Sequence, residues 1–534
     1  MSHERRPAAA KALVPAVRST AGGPVSARLP VSGWPRAGVL CAVLAACAPA
    51  AAAAPAGGDG SLTPARRLSS PSVGAMSYAN RVKEALRTLA QEHPEVQSAR
   101  AAADTSGFEV EAAKLARYPR FKVGSATGTY DSGTDNSTSQ SYQLITAEAR
   151  MSLLDGGAMS AKVRAAEAGS SAQAEALKVT SQKVVLDALT AYLQVQRFDL
   201  KKQIAGKSTE VVDELSRVEE RRVALGAAGE NNLRMAASRR ANIAARELDF
   251  EAQRAEALAK FSSYFRFAPN TEALPALAVP LHWRIASQEE ALRRAESRSA
   301  ELAEARERVA KARAVVDQHE ASLYPTVDAV IVKSKDPRGV SPSEPTRAAL
   351  ELNWNFGSGF DRQLRVRSAL AEVANQEAKL EGVRLNLTEL TASSWSRVDS
   401  GRERERQLME AARESGEAFR GRRRLMEFGR DTLPNVLDAQ LEYYTLLLDF
   451  VDAVFDLRIS EFRLARTAGE LWFAPDSANT WVDGIFGPPS RAALTGDGMG
   501  VLCIGTTAPC AADSAERSPG ARGLALRRAQ RLSR

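Results

Sequence analysis

Two stretches of the chain alternate apolar and polar residues one by one, and two much longer stretches are charged, alanine-rich and free of proline. In the first alternating stretch Ile145, Ala147, Ala149, Met151 and Leu153 are separated by Thr146, Glu148, Arg150 and Ser152. In the second, Ala348, Leu350, Leu352, Trp354 and Phe356 alternate with Ala349, Glu351, Asn353 and Asn355. A period of two predicts β-strands with one apolar and one wet face. Each follows a Tyr-Pro pair, a shorter alternating piece and a polar loop, so the pattern predicts two hairpins, with strands over about 119–130 and 142–155, and about 325–334 and 347–357. About ten residues of tilted strand cross a bilayer core; the same pattern also suits a half-buried strand of a soluble sheet. From Ala158 to Ala227 and from Phe360 to Phe428 no proline occurs, which permits helices of about 70 residues, or roughly 100 Å. Both end at glycine, Gly226 with Gly229 and then Gly429, and a shorter helix follows. In the last of these Leu437, Leu441, Tyr444, Leu448, Val451, Phe455, Ile459 and Phe462 advance by threes and fours, a coiled-coil stripe.

The series is written twice. Glu84, Glu95, Tyr118 and Pro119 reappear as Glu290, Glu301, Tyr324 and Pro325, each 206 positions later. A constant offset over that distance predicts a duplicated structural unit. The expected organisation is a first repeat over 76–270, a linker over 271–286, a second repeat over 287–474 and an irregular tail over 475–534, which is either disordered or packed on the outside of the helices.

Charge narrows the function. The chain carries a net charge of +8, but the excess lies in residues 1–75 and in the arginine-rich tail, leaving 76–474 close to neutral. A nucleic-acid binder would carry its excess in the folded core. The N-terminus has basic residues up to Arg36, an apolar run from Ala37 to Ala56 and a Gly/Ser/Pro linker over 57–75, which reads as a secretory signal with an overlong start. Two cleavage readings compete: an A-x-A site, or a lipoprotein box at Leu44-Ala45-Ala46-Cys47 that would leave Cys47 acylated. Cys503 and Cys510 are candidates for a small disulfide loop in an exported protein, or are unpaired.

Catalysis finds no support. His3, His93, His282 and His319 show no metal-ligand spacing, and no nucleophile elbow, phosphate loop or dinucleotide fingerprint occurs. No cofactor or metal is expected, and the protein is not expected to be an enzyme.

From Tyr78 to Leu471 the chain resembles the TolC-like outer membrane efflux family. The segment Phe428-Gly429-Arg430-Asp431-Thr432-Leu433-Pro434-Asn435-Val436-Leu437-Asp438-Ala439-Gln440 is similar to the family's glycine followed by hydrophobic-Asp-Val-Leu-Asp-Ala. Tyr118-Pro119, Leu154-Asp155-Gly156-Gly157 and the weaker Phe356-Gly357-Ser358-Gly359 support it. The resemblance implies a mainly α fold with a transmembrane β-barrel: a homotrimer sharing twelve strands in the outer membrane of a Gram-negative bacterium, continued by a coiled-coil tunnel into the periplasm. Asp131–Ser141 and Lys335–Arg347 would be outward loops, and Glu148, Arg150 and Glu351 would line the lumen.

The resemblance also implies a periplasmic gate. It places Asp438 on one acidic ring position and Asn435 on the other, so that one ring would be neutral. Read without it, Asp438 is a solvated helix residue. Aligning Gly229 with Gly429 puts family contact positions on Arg234, Met235, Met426 and Asp431, which predicts an Arg234–Asp431 ion pair and a Met235–Met426 contact; Asp431 also suits a helix cap ahead of Pro434. A passive conduit implies an inner membrane ABC transporter or other pump and a periplasmic adaptor as partners, with outer membrane lipid around the barrel. The cargo reading leans to type I protein secretion, because His93-Pro94-Glu95-Val96 and the Tyr-Pro unit look closer to those members. Multidrug efflux is the alternative, favoured if Cys47 is lipidated. A periplasmic adaptor or other coiled-coil interaction protein is the competing class.

Overall fold

The computed structural model describes residues 78–130, 140–337, 346–356, 361–474 and 479–489. Cys47, Cys503, Cys510 and most of both outward loops lie outside the described residues. The first half contains α1 (Tyr78–Glu92), α2 (Pro94–Leu115), β1 (Arg120–Tyr130), β2 (Gln140–Leu154), α3 (Ala158–Ala224) and α4 (Glu230–Phe265). After β3 (Pro275–Leu277), the second half repeats the series as α5 (Gln288–Arg298), α6 (Ala300–Ala321), β4 (Thr326–Lys335), β5 (Arg347–Asn353), α7 (Asp361–Glu427) and α8 (Leu433–Thr467). The short α9 (Trp481–Ile485) and β6 (Phe486–Pro489) follow.

The two long helices have 67 residues each, about 100 Å of rise. The stretch ahead of the Tyr-Pro pair in each repeat forms two helices. In the first, His93 is the break: its backbone is extended and its Nδ1 accepts the Glu95 N–H at 3.3 Å. Ser299 does the same for α6 by accepting from Leu302 N–H. Pro94 at the helix start forfeits no bond.

The four long strands form one antiparallel sheet in the order β1-β2-β4-β5. β5 stops at Asn353, four residues short of the expected 357. Its partner β4 starts at Thr326, paired with Asn353, because Pro325 before it has no N–H to offer. Trp354 instead sends its indole N–H to Leu323 O at 3.2 Å. At the same end of the sheet Asp155 accepts the N–H groups of Gly157 and Met159, at 2.9 and 2.6 Å, and so starts α3. Gly156 is required there: its φ is +65°, and a Cβ would sit 2.9 Å from Ala321 O and 3.1 Å from Tyr324 Cβ.

The main core runs from the helical tip, at Met426 and Leu433, to an aromatic belt around the middle of the helices. Tyr192, Phe261, Phe265 and Phe267 stack on one another, and the Tyr192 hydroxyl donates to Pro275 O at 2.5 Å. Residues 271–286 were expected to be a linker and 479–489 part of an irregular tail. The structure gives both segments regular elements. β6 pairs with β3, Pro489 opposite Pro275, while Trp481 packs on Trp283 and Phe473. Asp483 receives ion pairs from Lys83 and Arg87 at 3.1 and 3.2 Å. Half-buried Trp481 and buried Phe486 cover the belt, which would otherwise be open to water.

The single stripe expected on α8 is also incomplete. Besides Leu437, Tyr444, Val451 and Phe462, a second row is buried at Leu433, Gln440, Tyr443, Leu447, Phe450 and Leu457. The helix packs on α7 and α3 together, so two flanks are covered rather than one.

Candidate functional site in the sheet and the helical tip

The sheet has its apolar face outward. Phe121, Val123 and Leu350 are 81%, 79% and 72% exposed, and Ile145, Met151, Leu153, Ile331 and Leu352 are exposed with them. Register puts Phe121, Ala149, Ile331 and Ala348 in one row across all four strands. Tyr118, Tyr324, Trp354 and Phe356 are exposed below it, an aromatic girdle at one edge of the apolar band.

The opposite face holds charge. Arg150 donates to Glu148 at 2.9 Å and Asp328 at 3.3 Å, and lies 3.1 Å from Glu351. Arg347 adds a bond to Glu351 at 3.2 Å. The cluster crosses β2, β4 and β5, so it fixes register as well as polarity. Asp328 and Arg347 escaped sequence reading because only the hydrogen-bonded register shows which alternating residues share a row.

At the far end of the long helices are two turns of the same construction. Gly226 and Gly429 have φ of +69° and +70°. In the first turn Gly226 N–H donates to Val223 O and Ala227 N–H to Arg222 O; in the second Gly429 N–H donates to Met426 O and Arg430 N–H to Leu425 O. This is a Schellman C-cap, which needs a left-handed residue. The next helices begin from extended N-caps at Gly229 and Thr432. The equivalent of Gly429 is therefore Gly226, and the alignment on Gly229 is corrected. Position 431 then matches Ala228, and 438 matches Met235.

Asp431 closes its own turn. Its Oδ1 accepts Thr432 N–H at 2.8 Å and the Asn435 amide at 2.7 Å, and Arg422 is 3.9 Å away. The Asn435 bond first, then the Thr432 N–H and the Arg422 charge, hold the carboxyl below the usual range. Within the protomer the expected Arg234–Asp431 pair is not formed: Arg234 is exposed on α4 and enters no ion pair among the described residues. Asp431 stands one residue ahead of the N-cap Thr432, so it ties the turn to Asn435 without accepting a first-turn backbone N–H of α8. Met426 is buried in the main core while Met235 is exposed, so the two thioethers do not share one environment.

Asp438 projects from α8 to Arg239 of α4, whose Nη2 donates at 2.7 Å. Arg423 of α7 reaches Glu214 of α3 at 2.6 Å, and buried Gln440 donates to Ser208 at 2.5 Å. Higher up, Asp452 accepts from Arg197 and Lys201 at 2.8 and 3.0 Å. These links tie the α3/α4 pair to the α7/α8 pair. Arg239, Glu214, Arg423 and Ser208 were missed because they lie on helices whose charge pattern looks uniformly solvated; only polar Gln440 beside the apolar stripe gave a signal.

An exposed apolar sheet with charge behind it, joined to paired 67-residue helices, defines a membrane-embedded channel-tunnel subunit. The chain belongs to the outer membrane efflux protein family, whose description matches residues 85–264 and again 291–470. It is thus an outer membrane protein. Protein CyaE of Bordetella pertussis is 29% identical over 259 residues, which is 47% of this chain and 54% of that protein; the chain therefore spans about half the length of this curated relative. Among solved structures, the outer-membrane channel OprN aligns with a TM-score of 0.66 at 18% identity, over 74% of this chain and 92% of that one. The outer membrane protein VceC of Vibrio cholerae gives 0.64 at 17% identity, over 73% and 96%.

Proposed function

We propose that the protein is the outer membrane conduit of a tripartite export system, passive itself and coupled to an inner membrane pump through a periplasmic adaptor. The observation that carries this reading is the sheet with apolar residues exposed and Arg150, Glu148, Asp328 and Glu351 clustered behind them. In a soluble protein the two faces would be reversed; in a barrel wall lipid covers the first and water the second. Four strands are too few to close, and β1 and β5 each have one unpaired edge in the protomer. Three copies would supply twelve strands and remove both edges.

The cargo proposed is an unfolded polypeptide driven by an ABC transporter, on the similarity of His93-Pro94-Glu95-Val96 and Tyr118-Pro119 to type I secretion members. At the tip, three Asp438 carboxylates would form one ring, with Asn435 leaving the second neutral. Planar-bilayer recordings of the full-length protein test the conduit. Small cation-preferring steps are expected, with the preference reduced in Asp438→Asn. Folded trimers without conductance would overturn the channel reading in favour of an interaction protein. Secretion of a reporter polypeptide, restored by co-expression with an ABC transporter and adaptor, tests the cargo; drug export alone would favour multidrug efflux.

A further inference from the structure

The apolar band of the sheet changes character at one place. Along β4 the residues facing away from the charged cluster are Val327, Ala329 and Ile331, and the next two are Lys333 and Lys335. Both are exposed, and neither enters an ion pair among the described residues. Their partners in register on β2 are Ala147 and Ile145, followed on β1 by Val123 and Ser125. No carboxylate stands among them.

Depth gives the pair a meaning. Tyr324 belongs to the aromatic girdle, and Lys335 comes eleven residues later. That is roughly 37 Å along a strand, or roughly 25 Å of height at a tilt near 45°, the thickness of a barrel's apolar band. Lys335 therefore emerges at the outer interface. Lys333 sits about 7 Å lower along the strand, close enough for its four-carbon stem to carry the ammonium up. The repeat does not impose this: the positions 206 earlier are Thr127 and Thr129.

We propose that Lys333 and Lys335 bind the phosphate groups of anionic lipid headgroups in the outer leaflet; the proposal rests on reading the sheet as a barrel wall. Two ammonium groups on a lipid-facing wall, with mostly apolar neighbours and no counter-charge among the described residues, stand where membrane phosphates lie. Each lysine near a charged surface strengthens anionic lipid binding roughly fivefold. Three protomers would present three such pairs around the rim.

The test uses full-length protein in phosphatidylcholine nanodiscs containing a minor fraction of phosphatidic acid, with bound lipid counted by native mass spectrometry. The wild type is expected to retain phosphatidic acid over phosphatidylcholine by about 25-fold. The Lys333→Gln/Lys335→Gln variant should lose most of that preference, while Lys122→Gln, on the charged face, should keep it. Equal retention of both lipids by the wild type, or an unchanged preference in the double variant, would overturn the proposal. Displacement of phosphatidic acid by millimolar inorganic phosphate would also overturn it, by making the site one for free phosphate. Brominated phosphatidylcholine separates this from the underlying reading. It should quench the Trp354 fluorescence, isolated by comparison with Trp354→Phe, in wild type and double variant alike. Absence of quenching in both would sink the barrel wall itself.

Discussion

At the scale of single residues, the tip is governed by who neutralises each carboxylate. Asp438 is 2.7 Å from Arg239, so a ring of three such carboxylates would act on ions with its charge partly offset. Arg239→Gln should therefore increase cation preference, whereas Asp438→Asn should decrease it. Reversal potentials under a salt gradient would show the opposite signs, and a shared sign would rule out the pair as the determinant. Asp438 is largely solvated and Arg239 partly so, so each effect should shrink in high salt. Asp431 behaves differently. Its folded-state carboxyl is held below the ordinary value of 3.8, chiefly by the Asn435 bond. Its contribution is then complete above the unfolded pKa and is lost only as pH falls through the lowered folded value. Amide exchange at Thr432 should stay protected down to about pH 4, and Asp431→Ala should remove that protection at neutral pH as well. Equal exchange in both proteins at pH 7 would show that the Asp431 bond contributes nothing.

Elements were more legible than contacts. Proline-free runs located α3 and α7, because a 67-residue helix needs only the absence of breakers and its charge pattern is incidental to its existence. Strand alternation was readable because lipid and lumen impose opposite demands on neighbouring residues. Two kinds of information were hidden. The β3–β6 pairing joins residues 275 and 489, and strands of three and four residues have no period to detect. The match of Gly226 to Gly429 depends on φ, which sequence alone did not distinguish from the nearby Gly229. The repeat offset supplies the missing check. It is 206 through α2 and α6 but 203 between Gly226 and Gly429, so three residues are absorbed between β1/β4 and the long helices. Turn chemistry makes a prediction with two signs. Gly429→Ala places a Cβ at φ +70° and should destabilise the hairpin by about 1 kcal/mol. Gly421→Ala, in open space within α7, should stabilise it by about 0.5–1 kcal/mol. Hydrogen exchange along the tip would distinguish them, and equal shifts of the same sign would contradict the capping argument.

At the scale of the whole molecule, the two repeats share a plan without sharing independence. The sheet order β1-β2-β4-β5 places strands from both halves side by side, and α3 packs on α6 as well as on α4. Neither half covers its own apolar surfaces. The belt sharpens this point. Its sheet joins a strand at the middle of the chain to one at residues 486–489, and Asp483 clamps the first helix through Lys83 and Arg87. Synthesis and export run from the N-terminus, so the aromatic layer around Tyr192 and Trp283 stays uncapped until nearly the whole chain has been delivered. A ribosome that stalls in the second repeat would release a product with that layer bare, the kind of surface that quality-control proteases cut. The layer is therefore covered only in a chain delivered through residue 489.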